Sequence, residues 1–340
     1  MDATSSANVT ATAASAVLAT SASAVASSAV TAASASAAAV SAGAALSPYG
    51  YVPTEWICIV FLVLLSISTA LHIGEAAMTR SWYIFPTAVL AGILEIMGWM
   101  ARFKSSENVY LTWAFEMQIT CTILGPTPLL AAYFMILGYI IDILGPSYSR
   151  LSPKLYSIIF CTGDIVSLIV QGVGGGIAAA AFGRGKDPEQ GGHIMLGGIL
   201  FQMFCLIIFT LCFVECFYRY FTNKPVAPNS GLDDALMKSA ARRRMSKNVK
   251  LMIVGLTFTI AVILVRSIYR TLELIDGWTG RIITTQLYFN VMDGAMIVLA
   301  MYSLNFIHPG FLLKRQKNRD EMLRLNSVGK SSSDDASMWA

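Results

Sequence analysis

Between Trp56 and Ile307 the chain alternates long apolar runs with short polar breaks, and it does so seven times. The runs lie near 56–76, 82–101, 113–141, 155–181, 194–218, 249–270 and 286–307. A helix needs roughly 20 apolar residues to cross a bilayer core, and each run has about that length. Backbone polar groups inside lipid must be satisfied within the segment, which leaves helices for runs of this kind. The fold class expected is therefore all-α, a polytopic bundle of seven transmembrane helices. Composition agrees, since charged residues are only 13% and mean hydropathy is +0.61, against about 25% charge in a soluble domain. An ordinary soluble enzyme, a nucleic-acid-binding domain and a disordered chain are all excluded.

Orientation follows from where Lys and Arg fall, because short cytoplasmic loops retain them. One alternating set of segments holds 17 of them, from Arg80 through Arg150, Lys154 and the 219–250 loop to the C-terminal tail. The other holds six: Arg102, Lys104, Arg184, Lys186, Arg270 and Arg281. The sequence thus predicts the N-terminus outside or in the lumen and the C-terminus in the cytoplasm. Three parts are expected: a low-complexity extracellular tail at 1–47, a seven-helix membrane domain at 48–311 and a polar cytoplasmic tail at 312–340. The first is Ala, Ser or Thr at 36 of its 47 positions, with nothing bulky enough to build a core. It lacks a basic stretch ahead of an apolar run, so it does not read as a signal peptide. Asn8-Val9-Thr10 is a glycosylation sequon, on the side where glycosylation occurs.

Chemistry-bearing motifs are missing. Gly185-Lys186 is followed by Asp187 and position 180 is Ala, so a phosphate-cradling loop fails at both ends. The chain has three His and no His-Glu-x-x-His or paired Cys-x-x-Cys pattern. Cys205, Cys212 and Cys216 share a helical face by spacing, which suits either a soft metal or thiols packing as small apolar groups. The expectation is no enzyme, no cofactor, no metal and no nucleic-acid partner, with membrane lipids or amphiphilic small molecules as ligands.

Charged side chains at membrane depth are costly and mark pathways or internal pairs. Glu95, Asp164, Arg266 and Asp293 are such residues, with His72, Gln118, Gln171, Gln202 and Asn290 as neutral company. Rise along a helix puts Glu95 about 18 Å, Arg266 about 24 Å and Asp293 roughly 20 Å above the inner face, with Asp164 lower at about 14 Å. The first three share a layer. The cluster either ties helices together or forms a polar site for an amphiphile's head group or a proton; its acidic excess suits a cation. The candidate site is Glu95, Asp164, Gln171, Arg266 and Asp293.

Gly125-Pro126-Thr127-Pro128 should kink the third run, since each proline removes a helical hydrogen bond. Gly172-Val173-Gly174-Gly175-Gly176 in the fourth permits close helix approach or local unwinding. In the 219–250 loop the basic segment 242–250 suits anionic lipid head groups, and Arg243-Arg244-Met245-Ser246 is a candidate kinase site at Ser246.

Several of these stretches resemble one family. Pro48-Tyr49-Gly50-Tyr51-Val52-Pro53, Leu144-Gly145-Pro146-Ser147-Tyr148-Ser149-Arg150-Leu151 and Asp164-Ile165-Val166-Ser167-Leu168 with Gln171 are similar to the fungal RTA-like proteins, the lipid-translocating exporter family. Arg266-Ser267-Ile268-Tyr269-Arg270, Glu273, Gly277-Trp278 and His308-Pro309-Gly310 continue the pattern in order, over about 48–311. The resemblance implies a seven-helix membrane protein with an outside N-terminus that moves amphipathic molecules or confers tolerance to them: sphingoid long-chain bases, amino-sterols and, in one branch, porphyrins. It carries no agreed catalytic residues. Two functions are expected from it: a transporter without its own ATP site, in the plasma membrane or else the vacuolar one, and alternatively a lipid-stress sensor signalling through the cytoplasmic loop and tail.

Overall fold

The computed structural model describes residues 49–144, 146–184, 186–222, 224, 226, 247–277 and 280–312. Seven helices there are long and apolar enough to cross a membrane: span 1 Glu55–Thr79, span 2 Trp82–Glu107, span 3 Thr112–Leu144, span 4 Pro153–Ala181, span 5 Glu189–Thr222, span 6 Lys247–Asp276 and span 7 Gln286–Leu312. Among the described residues every regular element is helical. The 1–47 tract with Asn8, residues 242–246 with Ser246, and residues 313–340 lie outside the described residues. The remaining basic residues of the 242–250 segment, Lys247 and Lys250, open span 6.

Consecutive spans pack side by side around the bundle, and span 7 closes back on span 1. Span 3 is the most central, with 67% of its apolar window buried, against 28% for spans 1, 4 and 5. The division of labour within a span is visible in the first one. Ile59, Val63 and Ile67 recur every four residues and face outward, exposed, where lipid would meet them. Ser68, Thr69, His72 and Thr79 lie on its buried face. The polar side of the helix thus points into the protein, the reverse of a soluble helix.

Spans 4 and 5 form the most extensive pair, and glycine makes it possible. A Cβ on Gly191 would lie 2.3 Å from the backbone nitrogen of Ala178, and one on Gly174 would lie 2.5 Å from that of Met195. The glycine run therefore serves close approach rather than unwinding, since the helix continues unbroken over Pro153–Gly183. Below this contact, Phe134, Phe160 and Phe209 pack ring against ring at 4.6–5.5 Å between spans 3, 4 and 5.

Span 3 breaks where the prolines predict, between the helices Thr112–Leu124 and Pro126–Leu144. Two further irregularities have no counterpart in the sequence reading: π-helical segments at Phe85–Val89 in span 2 and Phe289–Ala295 in span 7. The latter holds Asp293.

Candidate functional site

Spans 2, 3, 6 and 7 meet around five buried charges. Arg270 Nε donates to Asp293 Oδ1 at 2.7 Å, and Arg266 Nη2 reaches the same oxygen at 2.9 Å. Arg270 Nη1 also donates to Glu273 Oε2 at 2.8 Å, while the Tyr269 hydroxyl donates to Glu273 Oε1 at 2.8 Å. Glu95 Oε1 stands 3.8 Å from Arg266 Nη2. Glu95 and Asp293 are fully buried. Removing charges from water costs several kcal/mol per ion unless they are paired, so the pairing here is what allows five of them to sit together. Three carboxylates face two guanidiniums, and Glu95 Oε1, Glu95 Oε2 and Asp293 Oδ2 have no hydrogen-bond partner.

The break in span 3 supplies part of the framework. Pro126 has no N–H, so the carbonyl of Thr122, four residues back, loses its helical donor. Arg266 Nη2 donates to that carbonyl. The Thr122 hydroxyl in turn accepts from Arg270 Nη2 at 2.8 Å. One threonine thus anchors both arginines. Gly125 leaves room for the carboxyl beside it, since a Cβ there would lie 2.6 Å from Glu95 Oε1.

Toward the Tyr49 end sits a third arginine. Arg102 is 1% exposed. Its Nη1 donates to Gln118 Oε1 at 3.1 Å and its Nη2 to the Tyr51 hydroxyl at 2.7 Å. It lies over the Tyr49, Tyr51, Trp99 and Phe289 rings, closest to Phe289 at 4.4 Å. Cation–π contacts of this kind are worth ~2 kcal/mol or more when desolvated. Phe289 also meets Arg270 at 5.2 Å, so one ring joins the two guanidiniums. Burial pushes the Tyr49 and Tyr51 phenols up from their ordinary value, with Arg102 opposing the shift.

Two small cavities flank Arg270. One, on the Tyr49 side, is lined by Tyr51, Arg102, Gln118, Arg270, Glu273 and Phe289; the other by Pro126, Gln171, Gln202, Arg266, Ser267 and Arg270, among others. They leave about 20 and 30 Å³ for the centre of a water molecule, room for a water or two. In the second, Gln171 Nε2 donates to Gln202 Oε1 at 3.0 Å, and Gln202 Nε2 to Thr127 Oγ1 at 2.9 Å.

Of the candidate residues, Glu95, Arg266 and Asp293 come together, and Gln171 shares a cavity wall with Arg266. Asp164 does not join them, which corrects its place in the cluster. It is 3% exposed and its Oδ2 has no hydrogen-bond partner; its electrostatic neighbours are Cys161 and Cys205. Asp164 and Gln171 lie on one buried face of span 4, seven positions apart, so the lower depth of Asp164 and not its direction separates it from the cluster. By sequence Arg102 and Arg270 count as loop cations, and neither Glu273 nor Thr122 is among the candidate site residues. The available signal was Arg266, Arg270 and Glu273 at four- and three-residue spacing, one face of a helix. Among the described residues no group of three or more His, Cys, Asp or Glu is arranged to hold a metal, and all six cysteines are free.

Seven apolar helices closed around a buried ion cluster define a polytopic integral membrane protein. A family model described as RTA1 like protein matches residues 88–316. The chain belongs to that family, in agreement with the resemblance carried by its motifs. It is 29% identical over 283 residues to the sphingoid long-chain base transporter RSB1 of Saccharomyces cerevisiae, covering 78% of this chain and 74% of that one. It is 25% identical to protein RTM1 of the same yeast, over 68% of this chain and 71% of the relative. Protein RTA1 is likewise 25% identical, over 61% and 59%. No solved structure matches significantly.

Proposed function

We propose that this protein translocates amphipathic lipids with a cationic head group, sphingoid long-chain bases foremost, across the plasma membrane and so confers tolerance to them. The observation that carries the reading is the carboxylate excess in the bundle: Glu95, Glu273 and Asp293 against Arg266 and Arg270, with three carboxylate oxygens free of hydrogen bonds. A primary ammonium offers one positive charge and three N–H donors, which complements that set. The similarity to a sphingoid long-chain base transporter supports the same substrate class. The cavities beside Arg270 are too small for a head group, so the substrate enters through a rearrangement of the cluster, as in alternating access. The chain acts without catalysis and without an ATP site.

The proposed orientation puts the Tyr49 end outside and the Leu312 end in the cytoplasm. Burial of Arg102 and Arg270 supports it, because two of the six cations counted on the outer side then belong to the interior. The 1–47 tail, the membrane domain and the C-terminal tail keep the boundaries set out above, with anionic lipid against the 242–250 segment.

The test is exchange of a labelled sphingoid base across proteoliposomes holding only this protein, with Glu95→Gln alongside. Exchange above empty vesicles that drops at least about tenfold in the folded variant, ~1.4 kcal/mol, supports both transport and the site. Exchange indifferent to Glu95 returns the cluster to a structural role, and no exchange sinks the transport reading.

A further inference from the structure

A second group of buried polar side chains lies at the opposite end of the bundle, between spans 1 and 7. On span 1, Ser68, His72, Glu75 and Thr79 follow one another at helical spacing, and Asn305 and His308 face them from span 7. His72 is 0% exposed; its ring nitrogens make no side-chain hydrogen bond, and their polar neighbour on span 7 is the Met301 backbone. Its Nδ1 stands 3.8 Å from Glu75 Oε2, which has no hydrogen-bond partner, on a side chain that remains 19% exposed. His308, 2% exposed, accepts the Gly310 N–H on Nδ1 at 3.2 Å. Its neutral form therefore carries the proton on Nε2, and that atom is unpartnered. Asn305 spends its amide on Ser68 at 2.7 Å and leaves Oδ1 unpaired.

Leaving a buried polar atom unpaired is costly, and Glu75 Oε2, Asn305 Oδ1 and His308 Nε2 gather beside His72 without partners. A neutral His72 gains nothing from Glu75, whereas a protonated one forms a charged pair with it inside the membrane, where such pairs are strongest. A proton needs no cavity, and the partly exposed Glu75 gives it a way in near the Leu312 end. Other charged groups are remote in sequence: 56–74, 82–94 and 294–312, the stretches around the seam, contain no Asp, Glu, Lys or Arg. The neighbouring tyrosines are engaged elsewhere, Tyr302 donating to the Leu64 carbonyl and Tyr83 meeting the Tyr139 ring. Between this seam and the ion cluster, Ile297, Ala300 and Met301 are fully buried. Asp293 and Asn305 are 12 positions apart, about 18 Å along the helix.

We infer that His72, paired with Glu75 and flanked by Asn305 and His308, binds the proton that couples to substrate movement. The inference rests on the transport reading and adds a driving ion to it. Binding at the two stations is linked: if the base changes affinity for the proton tenfold, the proton changes affinity for the base tenfold.

The chain has three histidines, His72, His193 and His308, so imidazole NMR signals can be assigned by loss in single Gln variants. In lipid nanodiscs the His72 signal should respond to pH while the protein stays folded. Saturating sphingoid base should move its midpoint by about one pH unit for a tenfold linkage, and Glu75→Gln should shift the midpoint downward and keep the fold. A His72 signal fixed in one protonation state overturns the inference. So does a midpoint unmoved by a base that the same protein exchanges across vesicles. Vesicles that exchange no base count instead against the transport reading, and the titration without base still decides whether His72 is a proton site.

Discussion

Arg266 donates to the carbonyl of Thr122, a carbonyl that Pro126 has left without a helical donor. Two residues from different spans are thereby linked through what a third cannot do. The broken helix in span 3 is part of the ion cluster, because its free carbonyl holds one of the two guanidiniums.

Restoring the missing donor should separate folding from function. Pro126→Ala returns an N–H that competes with Arg266 for the Thr122 carbonyl. Thermal stability in detergent is expected to hold or rise, while sphingoid-base exchange falls about tenfold or more, ~1.4 kcal/mol. Unchanged exchange would show that the carbonyl is incidental to the site.

Thr122→Val removes only the hydroxyl that receives Arg270 and preserves shape and carbonyl. Polar contacts between membrane helices are worth about 0.6 to 2 kcal/mol, so a loss of stability in that range is expected. A double-mutant cycle with Arg270→Gln would measure the coupling; additive effects would argue that the 2.8 Å contact contributes nothing.

Arg102 fastens the Tyr49–Tyr51 stretch to spans 2 and 3. Arg102→Gln should lower the melting temperature and open that stretch to proteolysis. Arg102→Lys should fail to rescue it, because an ammonium lacks the planar fork that bonds Gln118 and Tyr51 while lying on Phe289. Full rescue by lysine would reduce the contact to simple charge.

Two glycines in the same helix pair should respond in opposite ways to one methyl group. Gly191→Ala drives a Cβ into the backbone of Ala178 and should destabilise the protein by roughly 1–3 kcal/mol or more. Gly176 is exposed with nothing within 4 Å of an added Cβ, so Gly176→Ala should be neutral or stabilising by up to about 1 kcal/mol. Thermal unfolding of both variants in one detergent would check the pair.

Apolar length made the seven spans legible, because lipid accepts nothing else over that distance. Depth arithmetic also grouped Glu95, Arg266 and Asp293. It also set Asp164 lower, and the structure leaves Asp164 outside the cluster although it shares a buried face of span 4 with Gln171. Arg102, Arg270 and Glu273 escape hydropathy for another reason. The apolar run of span 6 ends at Arg270, yet the helix continues to Asp276 with Arg266, Arg270 and Glu273 turned inward. A helix that points its polar side at its neighbours remains helix after its composition stops looking like membrane. The π segments contain Pro86 and Gly294 respectively, residues common enough in membrane helices that neither marks a π turn by itself.

The wide turn at Phe289–Ala295 acts on the whole of span 7. Each residue of an α-helix advances by about 100°, and a π segment holds one more residue in its turn than the ladder around it. Asp293 lies within it, and Asn305 and His308 lie beyond it. Their angular offset is therefore set by where the extra residue sits. Letting that residue migrate would gear the two polar stations against each other, turning one face relative to the other while both ends of the helix stay docked.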